Sequence, residues 1–319
     1  MTEKKQLRQA LNQVVVVGTL VEKNLESKEF TRQDGTKSEA MTGSISVRTG
    51  ENEVHQIRFF ANKFTKAGAE NRQYKALQTV IDEYVSVADT ESNPDAVPSK
   101  VRVTGKLALN EFYAPDGQLR QYQTIEGRFV NRLKEGEDDT PMAQFDTEGI
   151  VSAAKPEFDK DGEETDRAIL ELLIPQYNGT VIPYTFVVGE NGKDFVLDEY
   201  TKGKSVRIYG DIVSIRKEHT KEIEMGFGAN KIETTYEYLD EHLVSGGIPP
   251  YDEDSNKAFD VTLVKAALQD REVYLEGLKT RNQNQGGASK EERNTFGSGG
   301  AKKEAAKKEA ARVDVSNLF

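Results

Sequence analysis

The chain has 319 residues and a formal net charge of −11, and 36% of its residues are hydrophobic, which suffices for two modest cores. The absence of cysteine excludes disulfide bonds, thiol catalysis and cysteine-based metal sites. No apolar run of about 18 residues and no basic–apolar leader occurs, so neither membrane insertion nor secretion is predicted. The acidity is uneven: residues 1–140 carry 20 basic and 21 acidic side chains, and residues 141–247 carry 11 and 21. A near-neutral first region can still gather its bases on one face, so a polyanionic ligand is not excluded.

The first region alternates in the manner of strands and is interrupted once by a helical period. Tyr74, Leu77, Ile81 and Tyr84 recur at helical spacing and predict a helix within residues 69–84. Strands are predicted on either side of it, over residues 12–20, 41–48, 54–60, 101–111 and 118–130, the last two joined by a turn at 115–117. Three strands, a helix and two strands follow the order of an OB barrel.

The second region repeats this order. Strands are predicted over residues 145–153, 167–174, 181–188, 205–216 and 231–238, with a short helix at 194–200. The two regions also share a similar strand sequence with an internal glycine. It reads Lys-Val-Arg-Val-Thr-Gly-Lys-Leu at 100–107 and Lys-Ser-Val-Arg-Ile-Tyr-Gly-Asp-Ile at 204–212. A glycine inside a strand pattern marks a bulge or a sharp coil, which a small barrel needs in order to close.

The predicted fold is therefore mainly β, with two tandem OB-fold β-barrels followed by a C-terminal helix and a flexible tail. Residues 1–140 form the first OB fold and residues 141–248 the second, acidic one, with a boundary at 245–250. Val264, Leu268, Leu275 and Leu278 predict an amphipathic helix within residues 249–281. Residues 282–319 are rich first in Gln, Asn, Gly and Ser and then in Ala, Lys and Glu, which predicts a linker and a spacer.

One strand carries the pattern of a nucleic-acid-binding face. In residues 54–60, alternation places Ile57 and Phe59 inside the barrel and Gln56, Arg58 and Phe60 together outside. An exposed aromatic ring beside an exposed guanidinium is what a stacked base and its phosphate require. The hairpin that follows adds further aromatic and basic residues: Lys106, Phe112, Tyr113, Arg120 and Tyr122. The alternative interpretation is that Phe60 and Phe112 fill the barrel or its ends.

These stretches resemble the bacterial and phage single-stranded DNA-binding protein family. The resemblance lies in residues 12–20, 54–63 and 101–126, above all in Val-x-Val-x-Gly-x-Leu followed by Asp-Gly-Gln and Tyr-x-Thr. It implies an OB fold and places Phe60 and Phe112 where that family has base-stacking aromatics. Val54 stands where the family commonly has tryptophan, and this chain contains no tryptophan.

The same family carries a flexible tail that ends in an acidic, Phe-terminated peptide and recruits replication and repair proteins. The resemblance therefore implies a partner-binding tail with Asp314, Leu318 and Phe319. The match is partial, because Asp314 is the only acidic residue of the closing peptide. The alternative is an ordinary loose chain end.

The leading hypothesis is a non-sequence-specific single-stranded DNA-binding protein of phage replication or recombination, acting in the host cytoplasm. The expected binding residues are Arg58, Phe60, Lys63, Lys106, Phe112, Tyr113, Arg120 and Tyr122, and the second barrel is expected to serve partner contact or barrel packing with at most weak DNA contact. No catalytic, metal-binding or cofactor motif is found, so no enzyme is predicted, and a homo-oligomer is possible. Two alternatives stay open: an adaptor whose barrels bind proteins, and an RNA-binding OB protein, because a stacking face does not itself detect the 2′-hydroxyl.

Overall fold

The computed structural model describes residues 6–31, 35–223, 225, 227 and 231–285. In this part of the chain, ten strands form one continuous sheet. The strands are β1 Asn12–Thr31, β2 Lys37–Arg48, β3 Val54–Asn62, β4 Lys100–Tyr113, β5 Leu119–Arg132, β6 Met142–Phe158, β7 Glu164–Pro175, β8 Val181–Val188, β9 Ser205–Ile223 and β10 Lys231–Gly247. The helices are α1 Arg72–Glu83, α2 Val87–Thr90, α3 Glu190–Glu199 and α4 Val261–Gln285.

The first five strands close into a ring, here called the first ring. β1 pairs antiparallel with β2 and with β4, β2 pairs with β3, and β4 pairs with β5. A short parallel seam between β3 and β5, with Ile57 opposite Ile125 and Arg58 opposite Glu126, completes the circuit. The resulting order 1-2-3-5-4-1, with a helix between the third and fourth strands, is that of the OB fold.

Strands β6 to β10 close in the same way and form the second ring. β6 pairs with β7 and β9, β7 with β8, and β9 with β10. The parallel seam lies between β8 and β10, with Leu243 opposite Val187 and Val244 opposite Val188. The predicted fold class, two tandem OB folds followed by a helix, is confirmed. The predicted tail lies outside the described residues, and the domain limits at 140, 248 and 281 stay predictions.

The repeated glycine marks the same irregularity in both rings. The register of β4 against β5 shifts between Thr104 and Gly105, and a Cβ atom on Gly105 would lie 2.4 Å from the carbonyl oxygen of Glu126. In the second ring the shift lies on β10, and a Cβ on Gly210 would lie 2.0 Å from the carbonyl oxygen of Leu243. A side chain at either position would collide with the neighbouring strand, so close backbone approach explains both glycines.

Helix α1 covers one end of the first ring. Asn71 caps it by accepting a hydrogen bond from the backbone N–H of Gln73, so the helix begins at Arg72, inside the predicted range of 69–84. It buries Tyr74, Leu77 and Val80 against the core. This position leaves the outer surface of β3 uncovered.

The rings are joined through their equivalent first strands. β1 and β6 pair antiparallel from Asn12 opposite Thr147 to Val17 opposite Met142. Pairing of equivalent strands in opposite directions relates the rings as the subunits of an isologous dimer are related. The predicted boundary at 245–250 falls partly within β10, which ends at Gly247 because its last residues pair with Ile208 and Tyr209 of β9.

Candidate nucleic-acid interface

Strand β3 alternates cleanly between buried and exposed side chains. Ile57 and Phe59 are buried in the first ring, whereas Gln56, Arg58 and Phe60 are exposed. Phe60 keeps 54% of its surface exposed, and its only described ring neighbour is Phe30 near the end of β1, with ring centroids 6.3 Å apart. The orientation expected for this strand is therefore observed, and Phe30 joins the same aromatic surface.

The β4–β5 hairpin (residues 107–125) presents a second aromatic pair. Asn110 lies opposite Tyr122 and Phe112 opposite Arg120, so Phe112 and Tyr122 are diagonal neighbours on one face. Their rings are stacked at 5.9 Å with an interplanar angle of 21°, and both remain about half exposed. Tyr113 follows Phe112 directly, and strand alternation places it on the opposite face of the hairpin.

Three of the four predicted phosphate-binding cations are held by carboxylates. Lys63 Nζ lies 2.6 Å from Glu39 Oε2, Lys106 Nζ lies 3.2 Å from Glu126, and Arg120 lies 2.8 Å from Asp116. Arg58 forms no ion pair with any residue that the structure describes. It is therefore the cation of the predicted set with a charge most available to a ligand.

The Lys63 pair belongs to a polar cluster at the edge of the first ring. Lys63, Tyr74 and Ser27 all donate hydrogen bonds to Glu39, and together they lower the pKa of Glu39 to about 2. The same ion pair raises the pKa of Lys63. A phosphate approaching Lys63 would compete with this carboxylate, so Lys63 is a weaker anion site than its sequence position indicates.

One further set of exposed aromatic residues lies on the β9–β10 hairpin (residues 212–223 and 231–242). Tyr236 and Tyr238 are exposed there, and the guanidinium of Arg216 lies 4.1 Å and 5.6 Å from their ring centroids. Neither tyrosine belongs to the predicted binding residues, although Thr-Tyr-Glu-Tyr-Leu (235–239) has the period of two that places both on one face of the hairpin.

The structure adds two observations on other kinds of site. Among the described residues, no group of three or more His, Asp or Glu side chains is arranged to hold a metal ion. Within the same residues, no helix combines the length and apolarity needed to cross a bilayer.

Comparisons with known proteins give one matching family model and distant likenesses to solved structures, two of which follow. The family model described as YorF matches residues 10–281. No curated protein matches the chain. A deletion mutant of the single-stranded DNA binding protein from Thermus aquaticus aligns with 78% of this chain and 98% of its own length, at 13% identity and a TM-score of 0.43. Replication Protein A, in a heterotrimer bound to ssDNA, aligns with 91% of this chain and 55% of its own, at 9% identity and a TM-score of 0.18. Both alignments are loose, and the fold is established by the strand pairings.

Proposed function

Given that the chain belongs to the YorF family, whose model spans residues 10–281, we propose that this member binds single-stranded DNA without strong sequence preference. The binding surface is the outer face of the first ring, formed by β3 and by the β4–β5 hairpin. In OB folds, the face of the second and third strands and the hairpin between the last two strands are the places that hold oligonucleotides.

One observation carries the proposal. Phe60 and Arg58 lie two residues apart on the outer face of β3, the ring exposed and the guanidinium without an ion pair to any described residue. The exposed part of the Phe60 side chain adds little to the core, whereas a base stacked on it contributes about 1–3 kcal/mol. Every base has a π-face, so this mode of binding tolerates any sequence.

The stacked pair Phe112–Tyr122 supports the same function. Its two rings lie nearly parallel, and a base could continue that stack on the exposed side. Arg120 lies opposite Phe112 on this face, held by Asp116. Ion pairs between exposed side chains are worth about 0–1 kcal/mol, so a phosphate can displace such a carboxylate at small cost.

The proposed biological role follows from this binding mode. A protein that coats single strands without reading sequence serves replication or recombination, here in a phage-infected host cytoplasm, by binding and without catalysis.

The tail residues Asp314, Leu318 and Phe319 lie outside the described residues, and their proposed task is to recruit partner proteins. Deletion of residues 313–319 should leave DNA affinity unchanged or slightly higher and should abolish capture of a replication or recombination protein.

The test of the proposed function is a titration of the full-length protein into a fluorescently labelled dT oligomer, followed by anisotropy at two salt concentrations. Tight binding that weakens with salt, and that an unlabelled duplex of equal length fails to compete away, supports the proposal. Absence of binding at both salt concentrations contradicts it and favours an adaptor role. Stronger competition by rU than by dT would reassign the site to RNA.

A further inference from the structure

One hairpin of each ring reaches across to the other ring, and the two crossings leave different surfaces exposed. The β4–β5 hairpin of the first ring reaches β8, where Gln123 Nε2 donates to the carbonyl oxygen of Thr185 over 2.8 Å. Helix α4 is fastened to the same hairpin through an ion pair between Arg271 and Glu111. The aromatic residues of β8, Tyr184 and Phe186, are buried. Strand β8, which corresponds to β3, therefore exposes neither of these two aromatic side chains for a base to stack on.

The β9–β10 hairpin of the second ring makes the reverse crossing and leaves β3 open. The backbone N–H of Arg216 donates to the carbonyl oxygen of Asn52 over 2.9 Å, and Ile215 forms a bridge with Glu53. Both contacts lie just before β3 begins, about 23 Å of strand away from Phe60. The hairpin thus continues the surface of β3 at its N-terminal end.

The face of this hairpin is built like a stacking site. Arg216 lies opposite Tyr238, and Glu218 lies opposite Tyr236, so the two tyrosines and the guanidinium share one face. Tyr236 keeps 44% and Tyr238 52% of its surface exposed, with ring centroids 6.4 Å apart. An arginine that leans on exposed rings supplements base stacking in single-strand sites.

The charges on this face define what it can hold. Glu218 and Asp240 lie on the same side as Arg216, because their cross-strand partners in the register are Tyr236 and Ser214. Two carboxylates beside one guanidinium disfavour phosphate contacts, whereas they leave ring-on-base stacking intact. Such a site holds bases and contributes little to salt dependence.

We propose that Tyr236, Tyr238 and Arg216 form a second base-stacking site, which receives the single strand where it leaves the N-terminal end of β3. This inference rests on the proposed function. Each chain then carries one continuous track made by β3 of the first ring and the hairpin of the second ring.

The test uses tryptophan as a local reporter, since the chain contains none. Full-length Phe60→Trp, Tyr236→Trp and Tyr177→Trp proteins are titrated with dT oligomers of about 8 and about 25 nucleotides, lengths chosen around the site size of one OB fold. Tyr177, in the β7–β8 turn, is 84% exposed and serves as the matched control. Phe60→Trp should be quenched by both oligomers, Tyr236→Trp by the longer one, and Tyr177→Trp by neither.

The outcomes separate this inference from the function on which it rests. An unquenched Tyr236→Trp beside a quenched Phe60→Trp overturns the second site and leaves single-strand binding standing. An equal loss in Tyr177→Trp also overturns it, because the quenching is then not local. If no variant binds either oligomer, the proposed function itself fails.

A second measurement uses the variant Tyr236→Ala, which removes one tyrosine of the pair and keeps Tyr238. Tyr236→Ala should lower the affinity for the longer oligomer about tenfold and leave the slope of log affinity against log salt unchanged. A Tyr236→Ala protein that matches the unaltered protein in thermal unfolding and in affinity for the longer oligomer contradicts the site. Circular dichroism of each variant secures the comparison.

Discussion

Phe59 and Phe60 are adjacent in the chain and lie in opposite environments. The ring of Phe59 packs over Gly127 on β5, where a Cβ atom would collide with it at 2.2 Å. Phe60 points the other way and stays exposed. The alternation of β3 therefore assigns stability to one ring and makes the other available for binding.

Replacing Phe60 with alanine should weaken single-strand binding by about 1–3 kcal/mol without loss of stability, because the exposed ring contributes to the ligand and little to the core. Anisotropy with a dT oligomer measures the first effect, and thermal unfolding measures the second. Phe158→Ala is the matched control, since Phe158 is similarly exposed at the end of β6 in the second ring. Equal affinity of Phe60→Ala and Phe158→Ala would remove Phe60 from the site.

Arg58 differs from Lys63 because Lys63 forms an ion pair with Glu39, whereas Arg58 forms none with a described residue. Arg58→Ala should make the salt dependence of binding shallower by about one counterion, because Arg58 has no ion pair among the described residues. Lys63→Ala should change the slope less, since Glu39 already neutralises that ammonium. Slopes measured from 50 to 200 mM salt compare the two variants. A larger change for Lys63→Ala would invert the assignment of phosphate contacts.

At the scale of elements, the sequence predicts the parts that bury a face. The period of two predicts β3 correctly as a strand, and the period near 3.6 predicts α1 correctly as a helix. Both patterns are clear because each element buries one side against the core of the first ring. The strand ends are harder to predict. β1 runs on to Thr31, β9 to Ile223 and β10 to Gly247, all beyond their predicted limits. The added lengths of β1 and β9 are mostly polar, so no hydrophobic pattern marks where they stop, and β10 is extended by its pairing with β8 and β9.

The candidate site shows the same limit. Alternation predicts that Phe60 and Arg58 point outward. It cannot predict that Lys63 is paired with Glu39, 24 residues away, or that Arg216 rests on Tyr236, because both depend on strand register. Register is set by turns and cross-strand packing, which local composition does not reveal.

The clamp between α4 and the β4–β5 hairpin is an ion pair of low exposure. Arg271 and Glu111 retain 12% and 11% of their side-chain surface, and Gln121 Nε2 donates a further hydrogen bond to Glu111. Arg271→Met should lower the free energy of unfolding by about 3 kcal/mol, because it leaves the Glu111 carboxylate unpaired in a poorly solvated place.

The double variant Arg271→Met/Glu111→Gln should recover most of that loss, since the uncompensated charge is then gone. Urea unfolding of the single and double variants gives the comparison. If the double variant is as unstable as the single one, the loss comes from packing of the arginine stem and the ion pair contributes little.

At the scale of the whole molecule, two buried histidines lie close to the place where the rings meet. His55, at the start of β3, accepts or donates a hydrogen bond with Thr49 over 3.0 Å, and the bridge between Glu53 and Ile215 lies beside it. His242, on β10, contacts the Tyr184 hydroxyl at 2.9 Å and packs against aromatic rings of the second ring. Burial lowers the pKa of both imidazoles, and His55 further lowers the pKa of His242, to about 4. Glu53 and Asp240 act in the opposite direction on His55.

The sign of the resulting pH dependence follows from this depression. Well above pH 6.5 both imidazoles are neutral in the folded and unfolded chain, and they add no pH dependence. As pH falls below 6.5 the unfolded chain takes up protons first, so the free energy of unfolding decreases until the folded His242 titrates near pH 4. His242 alone then accounts for a loss of about 3 kcal/mol.

We therefore expect stability to fall between pH 7.5 and 5, before most carboxylates titrate; Glu39, with its pKa of about 2, adds its own loss only at lower pH. Urea unfolding at pH 7.5, 6 and 5 measures the slope, and His242→Gln should flatten it while keeping a group able to bond the Tyr184 hydroxyl. Because burial opposes protonation of both imidazoles in the folded protein, proton uptake favours opening of the sites that bury them, and hydrogen exchange at pH 5 should rise first at the contact between the β9–β10 hairpin and the residues before β3. Parallel slopes for the unaltered protein and His242→Gln would show that other groups control the acid sensitivity of the assembly of the two rings.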